Sequence, residues 1–266
     1  MSTIAELSNL AGKRALITGA TGGLGRTFAD TLAELGADLL LVDRPGSDFE
    51  SLTSTLFQRR GVTVETHFCD LESQAQRNHL IAALMNSGQG LNILVNNAAF
   101  VGTSDLPGWG VPFEEQSIET WRRAIEVNLT AIFDLCQGLY PLLKETHSAS
   151  IVNIASIYGM FGPDWSLYEG TDMGNPAAYG VSKGGLIQLT RWLATTIAPE
   201  VRVNVISPGG IFRNQPEEFV KQYESRTPLG RMASEEDFRG AIAYLSSDLS
   251  RYVTGQVLSI DGGWGV

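Results

Sequence analysis

Short apolar runs alternate with longer segments of helical period along the chain, and this alternation restricts the fold more than any other feature. The runs are Arg14 to Thr18, Asp38 to Asp43, Thr63 to Cys69, Leu91 to Asn96, Ser150 to Ala155, Arg202 to Ser207 and Gln256 to Ile260. Strands that are apolar on both faces need helices above and below the sheet, and strands separated by helices run parallel. The sequence therefore predicts a doubly wound α/β fold with a seven-stranded parallel sheet. We expect one domain over residues 1–266, because no Pro-rich or Ser-rich tract marks a linker.

A glycine-rich turn lies between the first apolar run and the first helical segment. Its residues are Thr18-Gly19-Ala20-Thr21-Gly22-Gly23-Leu24-Gly25. Phe28 and Leu32 follow at helical spacing, and Gly36 stands where a helix commonly ends. In such a strand-turn-helix unit, glycines let the backbone approach a pyrophosphate, and the helix N-terminus offers free N–H groups. The turn predicts a dinucleotide site in a Rossmann-type fold, with a tight connection that binds nothing as the alternative.

Asp43 ends the second run, 18 residues after Gly25. In dinucleotide-binding folds an acidic residue about 20 residues beyond the glycine turn accepts hydrogen bonds from the adenosine ribose. A carboxylate at that place repels a 2′-phosphate, so the sequence favours NAD over NADP. The neighbouring Arg44 keeps NADP open, since a guanidinium can bind that phosphate. A plain charge at a strand end is the other interpretation of Asp43.

Tyr179 and Lys183 are four residues apart in Tyr-Gly-Val-Ser-Lys. Asn175 and Pro176 predict the N-cap and first residue of a helix, which places the pair on one face of its first two turns. A phenol has a pKa of about 10 in water, and a neighbouring ammonium group lowers it. The pair predicts a proton-transferring group for an alcohol or ketone, although in isolation it also fits a solvated helix face.

From about Leu10 to Gly263 the chain resembles the short-chain dehydrogenase/reductase family. The matching motifs are the glycine turn, Asn96-Asn97-Ala98-Ala99, Asn128 in Val127-Asn128-Leu129, Ser156 in Asn153-Ile154-Ala155-Ser156, Tyr179 with Lys183, and Pro208-Gly209. Two positions depart from the family pattern. Ala99 stands where the family usually has glycine, and Arg213 stands where it often has threonine. Neither departure removes a catalytic group.

The resemblance implies hydride transfer between a nicotinamide cofactor and a secondary alcohol or ketone. It implies that Tyr179 transfers the hydroxyl proton, with a pKa lowered by Lys183 and by the oxidised cofactor. It also implies that Ser156 holds the substrate oxygen, and that Asn128 places a water connecting Lys183 to solvent. The implied cofactor-binding residues are Gly19, Thr21, Gly23, Leu24, Gly25, Asp43, Arg44, Asp70, Leu71, Asn97, Ala98, Tyr179, Lys183, Pro208, Gly209 and Ile211.

The segment between the catalytic serine and tyrosine is longer than in most members of the family and contains Trp165, Tyr168 and Glu169. Aromatic faces and carboxylates suit a sugar or polyol ring. We therefore expect these residues to bind substrate at the mouth of the cleft, opposite Arg213, whose cation could meet an anionic substrate group. A looser likeness to family members in bacterial surface-sugar and flagellin-glycan pathways also favours a sugar-like substrate. The alternative is a solvated surface loop.

Two other functions remain open at this point. A 3-oxoacyl thioester reductase, which is common in the family, would have an apolar tunnel and a basic patch for an acidic carrier protein. A cofactor-sensing scaffold would be expected to lose Ser156, Tyr179 or Lys183, and all three are present. The sequence leaves the substrate and the direction of the reaction undecided.

Composition narrows the range of partners. The chain has 19 basic and 29 acidic residues, and the net charge of −10 opposes binding to nucleic acid or an anionic membrane, so a small molecule is the expected partner. No leader and no long apolar span are visible, so we expect a cytoplasmic protein. Cys69 and Cys136 are expected to be reduced, and the spacing of His67, His79 and His147 predicts no metal site. The family resemblance implies a homo-oligomer, either a dimer or a tetramer.

Overall fold

The computed structural model describes residues 1–101, 106–146 and 148–266. Its strands are β1 (Arg14–Thr18), β2 (Asp38–Asp43), β3 (Val64–Phe68), β4 (Ile93–Asn96), β5 (Ala149–Ile154), β6 (Val201–Pro208) and β7 (Val257–Ile260). Over the described residues they form one parallel sheet of seven strands, in the order β3-β2-β1-β4-β5-β6-β7. The predicted doubly wound, Rossmann-type sheet is confirmed.

Helices cover both faces of this sheet. The helices of the described residues are α1 (Ile4–Ser8), α2 (Gly23–Glu34), α3 (Phe49–Arg60), α4 (Gln74–Asn86), α5 (Ile118–Ile125), α6 (Ala131–Glu145), α7 (Ala177–Thr196), α8 (Glu217–Arg226) and α9 (Arg239–Ser246), and a π-helical turn (Glu126–Thr130) joins α5 to α6. On one face α2, α3 and α9 bury Phe28 and Ile242 against the strands. On the other face α4, α6 and α7 bury Leu135 and Leu186. The two-sided apolar character of the strands is thus matched by helices on both sides.

The element limits differ from the predicted ones in detail. Five of the seven strands begin or end one or two residues away from the expected position. The predicted start of α7 is also wrong: Pro176 has a ψ of 138° and is the N-cap, so the helix begins at Ala177. Asn175 does not cap the helix, because its Nδ2 donates to the Tyr168 hydroxyl at 3.1 Å.

The strand order reverses at β1, which has β2 on one side and β4 on the other. Connections leave these strands in opposite directions, which opens a crevice at the carboxyl edge of the sheet where α/β proteins commonly bind ligands. Gly19 directly follows β1, Asn97 directly follows β4, and Ser156 lies just after β5. The sheet therefore collects the sequence motifs along one edge.

Candidate active site

The carboxyl edge of the sheet bounds a cavity of about 780 Å³. Every residue that the sequence predicted for cofactor binding lines it, from Asp43 at the end of β2 to Tyr179 and Lys183 near β5. Ser156 and Arg213 also line the cavity, whereas the fully buried Asn128 lies behind its wall. A cavity that crosses the strands on both sides of the reversal fits an elongated dinucleotide.

The glycine turn is required by close packing as well as by ligand access. Gly19 has a φ of +62°, and a Cβ there would lie 2.8 Å from the Cα of Ala98. A Cβ on Gly25 would lie 2.8 Å from the Cα of Ala20. Gly22 is the N-cap of α2 and has no side chain to satisfy the first N–H groups of the helix. These groups remain available to an anion such as a pyrophosphate.

Asn97 fixes this turn to β4. Its Nδ2 donates to the carbonyls of Thr18 at 2.9 Å and Gly19 at 3.0 Å, while the Thr18 hydroxyl accepts from the backbone N–H groups of Asn97 and Ala98. Ala99 has a φ outside the left-handed region, so an alanine replaces the usual glycine without backbone strain.

Asp43 marks the adenosine end of the cavity. Its Oδ2 accepts from the backbone N–H of Thr21 at 2.8 Å and from the Thr21 hydroxyl at 2.7 Å, and its Oδ1 accepts from the backbone N–H of Arg44 at 2.8 Å. Three hydrogen bonds hold the carboxylate in place. The Arg44 residue itself is exposed at the rim.

Lys183 lies at the opposite end, with only 2% of its surface exposed. Its Nζ donates to the Ile154 carbonyl at 2.8 Å and lies 5.8 Å from the centre of the Tyr179 ring. Burial disfavours the ammonium form and lowers the pKa of Lys183 from 10.5 to about 8. Gly159 permits this packing, because a Cβ there would lie 2.7 Å from the Lys183 carbonyl carbon.

Tyr179 is the side chain with a proton to transfer. Desolvation raises the pKa of Tyr179, while a hydrogen bond with Ser156 and the charge of Arg213 act in the opposite direction. The predicted lowering of this pKa by Lys183 and the oxidised cofactor concerns the cofactor-bound enzyme and stays a prediction. Desolvation is the largest influence on the phenol, and the Lys183 ammonium donates to the Ile154 carbonyl. In its neutral form, which burial favours, the Tyr179 phenol can donate a proton.

Asn128 sits in the π-helical turn, an irregularity that is frequent at functional sites. Its Oδ1 accepts from the backbone N–H of Phe100 at 2.6 Å, and its Nδ2 donates to the Ser182 hydroxyl at 3.0 Å. Ser182 in turn donates to the Tyr179 carbonyl at 2.8 Å. Asn128 thus connects the loop after β4 to the first turn of α7, and its role in placing a water stays a prediction.

Known proteins match this arrangement over nearly the whole chain. The family model described as Enoyl-(Acyl carrier protein) reductase matches residues 19–265. A tropinone reductase homolog of Arabidopsis thaliana is 35% identical over 266 residues, covering 97% of this chain and 94% of its own. The chain belongs to the short-chain dehydrogenase/reductase family. A 3-oxoacyl-[acyl-carrier-protein] reductase of Aquifex aeolicus is 31% identical over 259 residues, 96% of this chain and 98% of its own.

Two solved structures are similar to this short-chain dehydrogenase/reductase. A short chain dehydrogenase from Leptospira borgpetersenii with bound NAD+ has a TM-score of 0.84 and 32% identity, covering 100% of this chain and 97% of its own. A gluconate 5-dehydrogenase from Burkholderia cenocepacia in complex with NADP and tartrate has a TM-score of 0.83 and 27% identity, covering 98% of each chain. The chain is an NAD(P)-dependent oxidoreductase that transfers hydride between the cofactor and an alcohol or ketone.

The loop between Ser156 and Tyr179, which the sequence predicted to bind substrate, lies differently from that expectation. Of the four residues expected to bind substrate, Arg213 lines the cavity, but Trp165, Tyr168 and Glu169 do not. Tyr168 is buried with its hydroxyl 2.7 Å from that of Tyr158, and Glu169 is exposed. These three residues therefore do not line the main cavity, and their role in binding substrate stays a prediction.

This loop lies outside the main cavity because it contacts α8. The ring of Tyr168 packs 5.5 Å from that of Phe219, and Asp164 forms an ion pair with Arg226. These contacts turn Trp165 towards a second, mostly apolar cavity of about 550 Å³, beside α7.

Several residues of the site had no sequence signal. Glu235 forms an ion pair with Arg213 at 3.2 Å, although 22 positions separate them. Arg123 and Glu72 line the cavity as an ion pair at 2.8 Å. Ser182, by contrast, could have been noticed, because it lies between the two motif residues on the same helix.

Two further features of residues 1–101, 106–146 and 148–266 concern metal ligands and membrane spans. Within these ranges, no three His, Cys, Asp or Glu side chains are grouped as metal ligands. His67 lies 2.8 Å from Glu65, and the predicted structural role of His147 falls outside the described residues. No helix in the described part of the chain is both long and apolar enough to cross a membrane.

Proposed function

We propose that this enzyme uses NAD(H) to interconvert a secondary alcohol and a ketone on a compact, polar, sugar-like substrate. One observation supports it above all. A single cavity has a hydrogen-bonded carboxylate, Asp43, at one end and the set Ser156, Tyr179 and Lys183 at the other. The first group suits an unphosphorylated ribose, and the second suits proton transfer to a carbonyl oxygen.

The chemistry is divided among this chain's own side chains. When bound, the nicotinamide cofactor donates or accepts the hydride. Tyr179 donates its phenol proton to the developing alkoxide in reduction and accepts the hydroxyl proton in oxidation. Ser156 holds the same oxygen by a hydrogen bond and so orients the reacting carbon. Lys183, one helical turn away, stabilises the phenolate that forms on Tyr179.

The preference for NAD depends on Asp43. Its carboxylate is fixed by Thr21 on the side of the glycine turn, so a 2′-phosphate would bring two negative charges together. Arg44 could offset the repulsion only by moving its side chain in from the rim. Because similar structures contain either NADP or NAD+, the fixed carboxylate is the feature that favours NAD here.

The proposed substrate class has two supports. A gluconate 5-dehydrogenase in complex with NADP and tartrate is among the similar structures. The chain lacks an excess of basic residues for an acidic carrier protein, with a net charge of −10. The second candidate is 3-oxoacyl thioester reduction, which is favoured by the apolar residues Phe100, Val101 and Leu106 in the cavity wall.

A substrate panel tests the proposal. Sugars, sugar acids, cyclic diols and 3-oxoacyl thioesters would be offered with NAD(H) and NADP(H), and turnover followed through the reduced nicotinamide. We expect the highest kcat/KM for a polyol-like secondary alcohol or its ketone with NAD(H). Efficient turnover confined to acyl thioesters, or to NADPH, would overturn the corresponding part of the proposal.

We also propose a homo-oligomer in the cytoplasm, as the sequence predicted. Support for assembly comes from apolar side chains exposed on two neighbouring helices, Phe133 on α6 and Val181 and Trp192 on α7. Light scattering after size exclusion should give the mass of a dimer or tetramer. Trp192→Glu should shift it towards the monomer, and a wild-type monomer would contradict the idea.

A further inference from the structure

Arg213 stands where the family often has threonine, and the local backbone fixes where its side chain begins. Its N–H donates to the Gln215 side chain at 2.7 Å, and Gln215 donates back to the Ile211 carbonyl at 2.8 Å. Asn214, between them, adopts a φ of +59°. Ile211 also bridges to Ala233 beside it. This tight turn holds the base of Arg213 at the cavity wall.

The guanidinium of Arg213 lies over the glycine turn. A Cβ built on Gly23, the first residue of α2, would lie 3.1 Å from Arg213 Nη2 and 2.5 Å from Glu235 Oε1. The same two side chains form an ion pair, with Arg213 Nε 3.2 Å from Glu235 Oε1. A cation and its counter-ion therefore cover the helix N-terminus where the dinucleotide motif places a pyrophosphate.

The other cations that line the cavity lie away from Gly23. Among the described lining residues these are Arg44, next to Asp43, Arg123, paired with Glu72, and the buried Lys183. Of these lining cations, Arg213 is the one whose guanidinium lies against Gly23, and its side chain remains 54% exposed. Little burial opposes its movement from one anion to another.

We propose that Arg213 binds the pyrophosphate of the cofactor and that Glu235 holds it in place until the cofactor arrives. The guanidinium then exchanges a carboxylate for the two phosphates, which it can bind with paired N–H donors. This replaces the idea that Arg213 recognises a substrate anion. The proposed role of Arg213 requires only that the enzyme binds a dinucleotide, which its family establishes. It does not depend on the proposed preference for NAD or on the proposed substrate class.

If Arg213 exchanges Glu235 for the pyrophosphate, substitutions of these two residues should change cofactor affinity in opposite directions. Arg213→Gln removes the bond to the pyrophosphate and should weaken binding by roughly tenfold to a hundredfold, the range for a hydrogen bond to a charged group. Glu235→Gln removes a competing anion and should strengthen binding severalfold. Arg213→Lys keeps the charge without the paired donors, so its loss should be intermediate.

Calorimetric titration with ADP-ribose tests this without catalysis, because ADP-ribose has the pyrophosphate but no nicotinamide. NADH titration of the same proteins provides the comparison. Arg226→Gln is the matched control, since Arg226 pairs with Asp164 away from the glycine turn, and it should leave both affinities unchanged. The affinity of Arg213→Gln for ADP-ribose should also depend less on salt than that of the wild type.

Any of three results would overturn the proposal. The first is an ADP-ribose affinity of Arg213→Gln and Arg213→Lys within about twofold of wild type, which would return Arg213 to the substrate. The second is a Glu235→Gln variant that loses as much affinity as Arg213→Gln, which would make the ion pair a purely structural support. The third is a wild-type protein that binds NADH but not ADP-ribose. Urea midpoints of all variants separate these outcomes from unfolding.

Discussion

The two ends of the active-site cavity are built in different ways. At the glycine turn, the backbone decides the geometry: Gly19 and Gly25 approach neighbouring backbone too closely for a side chain, and Asn97 bonds to backbone carbonyls. At the substrate side, side chains decide it: the ion pair of Arg123 and Glu72 lines the cavity and joins segments 51 residues apart. Backbone packing allows few substitutions, whereas side-chain contacts can be exchanged.

This difference means that substitutions should affect the two ends unequally. A turn that only glycine can form keeps its N–H groups in place for a pyrophosphate. A loop held by Asp164, Tyr168 and their partners on α8 can be moved by a few substitutions. The two ends should therefore respond separately to substitution.

The largest expected effect is at the chemical end. Tyr179→Phe keeps the ring but removes the transferable proton, so kcat should fall by at least about a thousandfold. Turnover of the best substrate from the panel measures it. Tyr158→Phe is the matched control, because the Tyr158 hydroxyl bonds to Tyr168 and does not line the cavity. Near-normal activity of Tyr179→Phe would remove Tyr179 from the mechanism.

The next effect concerns the adenosine end. Asp43→Ser removes the carboxylate that repels a 2′-phosphate, so the ratio of NADH to NADPH affinity should move at least about tenfold towards NADPH. Fluorescence titration with both cofactors measures the ratio. Asp38→Ser, at the other end of β2, should leave it unchanged, since Asp38 bonds to Thr63 outside the cavity. An unchanged ratio in Asp43→Ser would assign cofactor choice to Arg44.

A smaller effect is expected on the way the free energy of unfolding changes with pH. The pKa of Lys183 is about 8 in the folded protein and 10.5 for the ordinary side chain. Between these values the unfolded chain binds the proton that the native protein has released, so stability should rise with pH across this window. Between neutral pH and pH 10.5, the free energy of unfolding of the wild type should rise by about 3 kcal/mol more than that of Lys183→Met. Urea unfolding at pH 7 to 10 measures it, and a constant difference would mean that Lys183 titrates normally.

The smallest effect is expected for the long loop. Glu169 is exposed and outside the main cavity, so Glu169→Gln should change KM by less than about twofold. Steady-state kinetics with the best substrate suffice. A tenfold rise in KM would show that the loop closes over the substrate after all.

The sequence predicted the features that depend on neighbouring residues and missed those that depend on distant ones. The glycine turn and the spacing of Tyr179 and Lys183 could be recognised because each motif lies within one turn or helix. The position of Trp165 depends on contacts of its loop with α8, and the pairing of Glu235 joins two separate segments. The pKa of Tyr179 could not be predicted from spacing either, since it depends on how many atoms surround the phenol.

The central claim is that one end of the cavity holds the cofactor and the other performs the chemistry. The most direct test is to measure both NADH affinity and turnover for Tyr179→Phe and Asp43→Ser. We predict that Tyr179→Phe binds NADH within about twofold of wild type and turns over almost no substrate. Asp43→Ser should bind NADH at least about tenfold more weakly and still turn over at saturating cofactor. A Tyr179→Phe variant that loses affinity as strongly as activity would contradict the separation of the two ends.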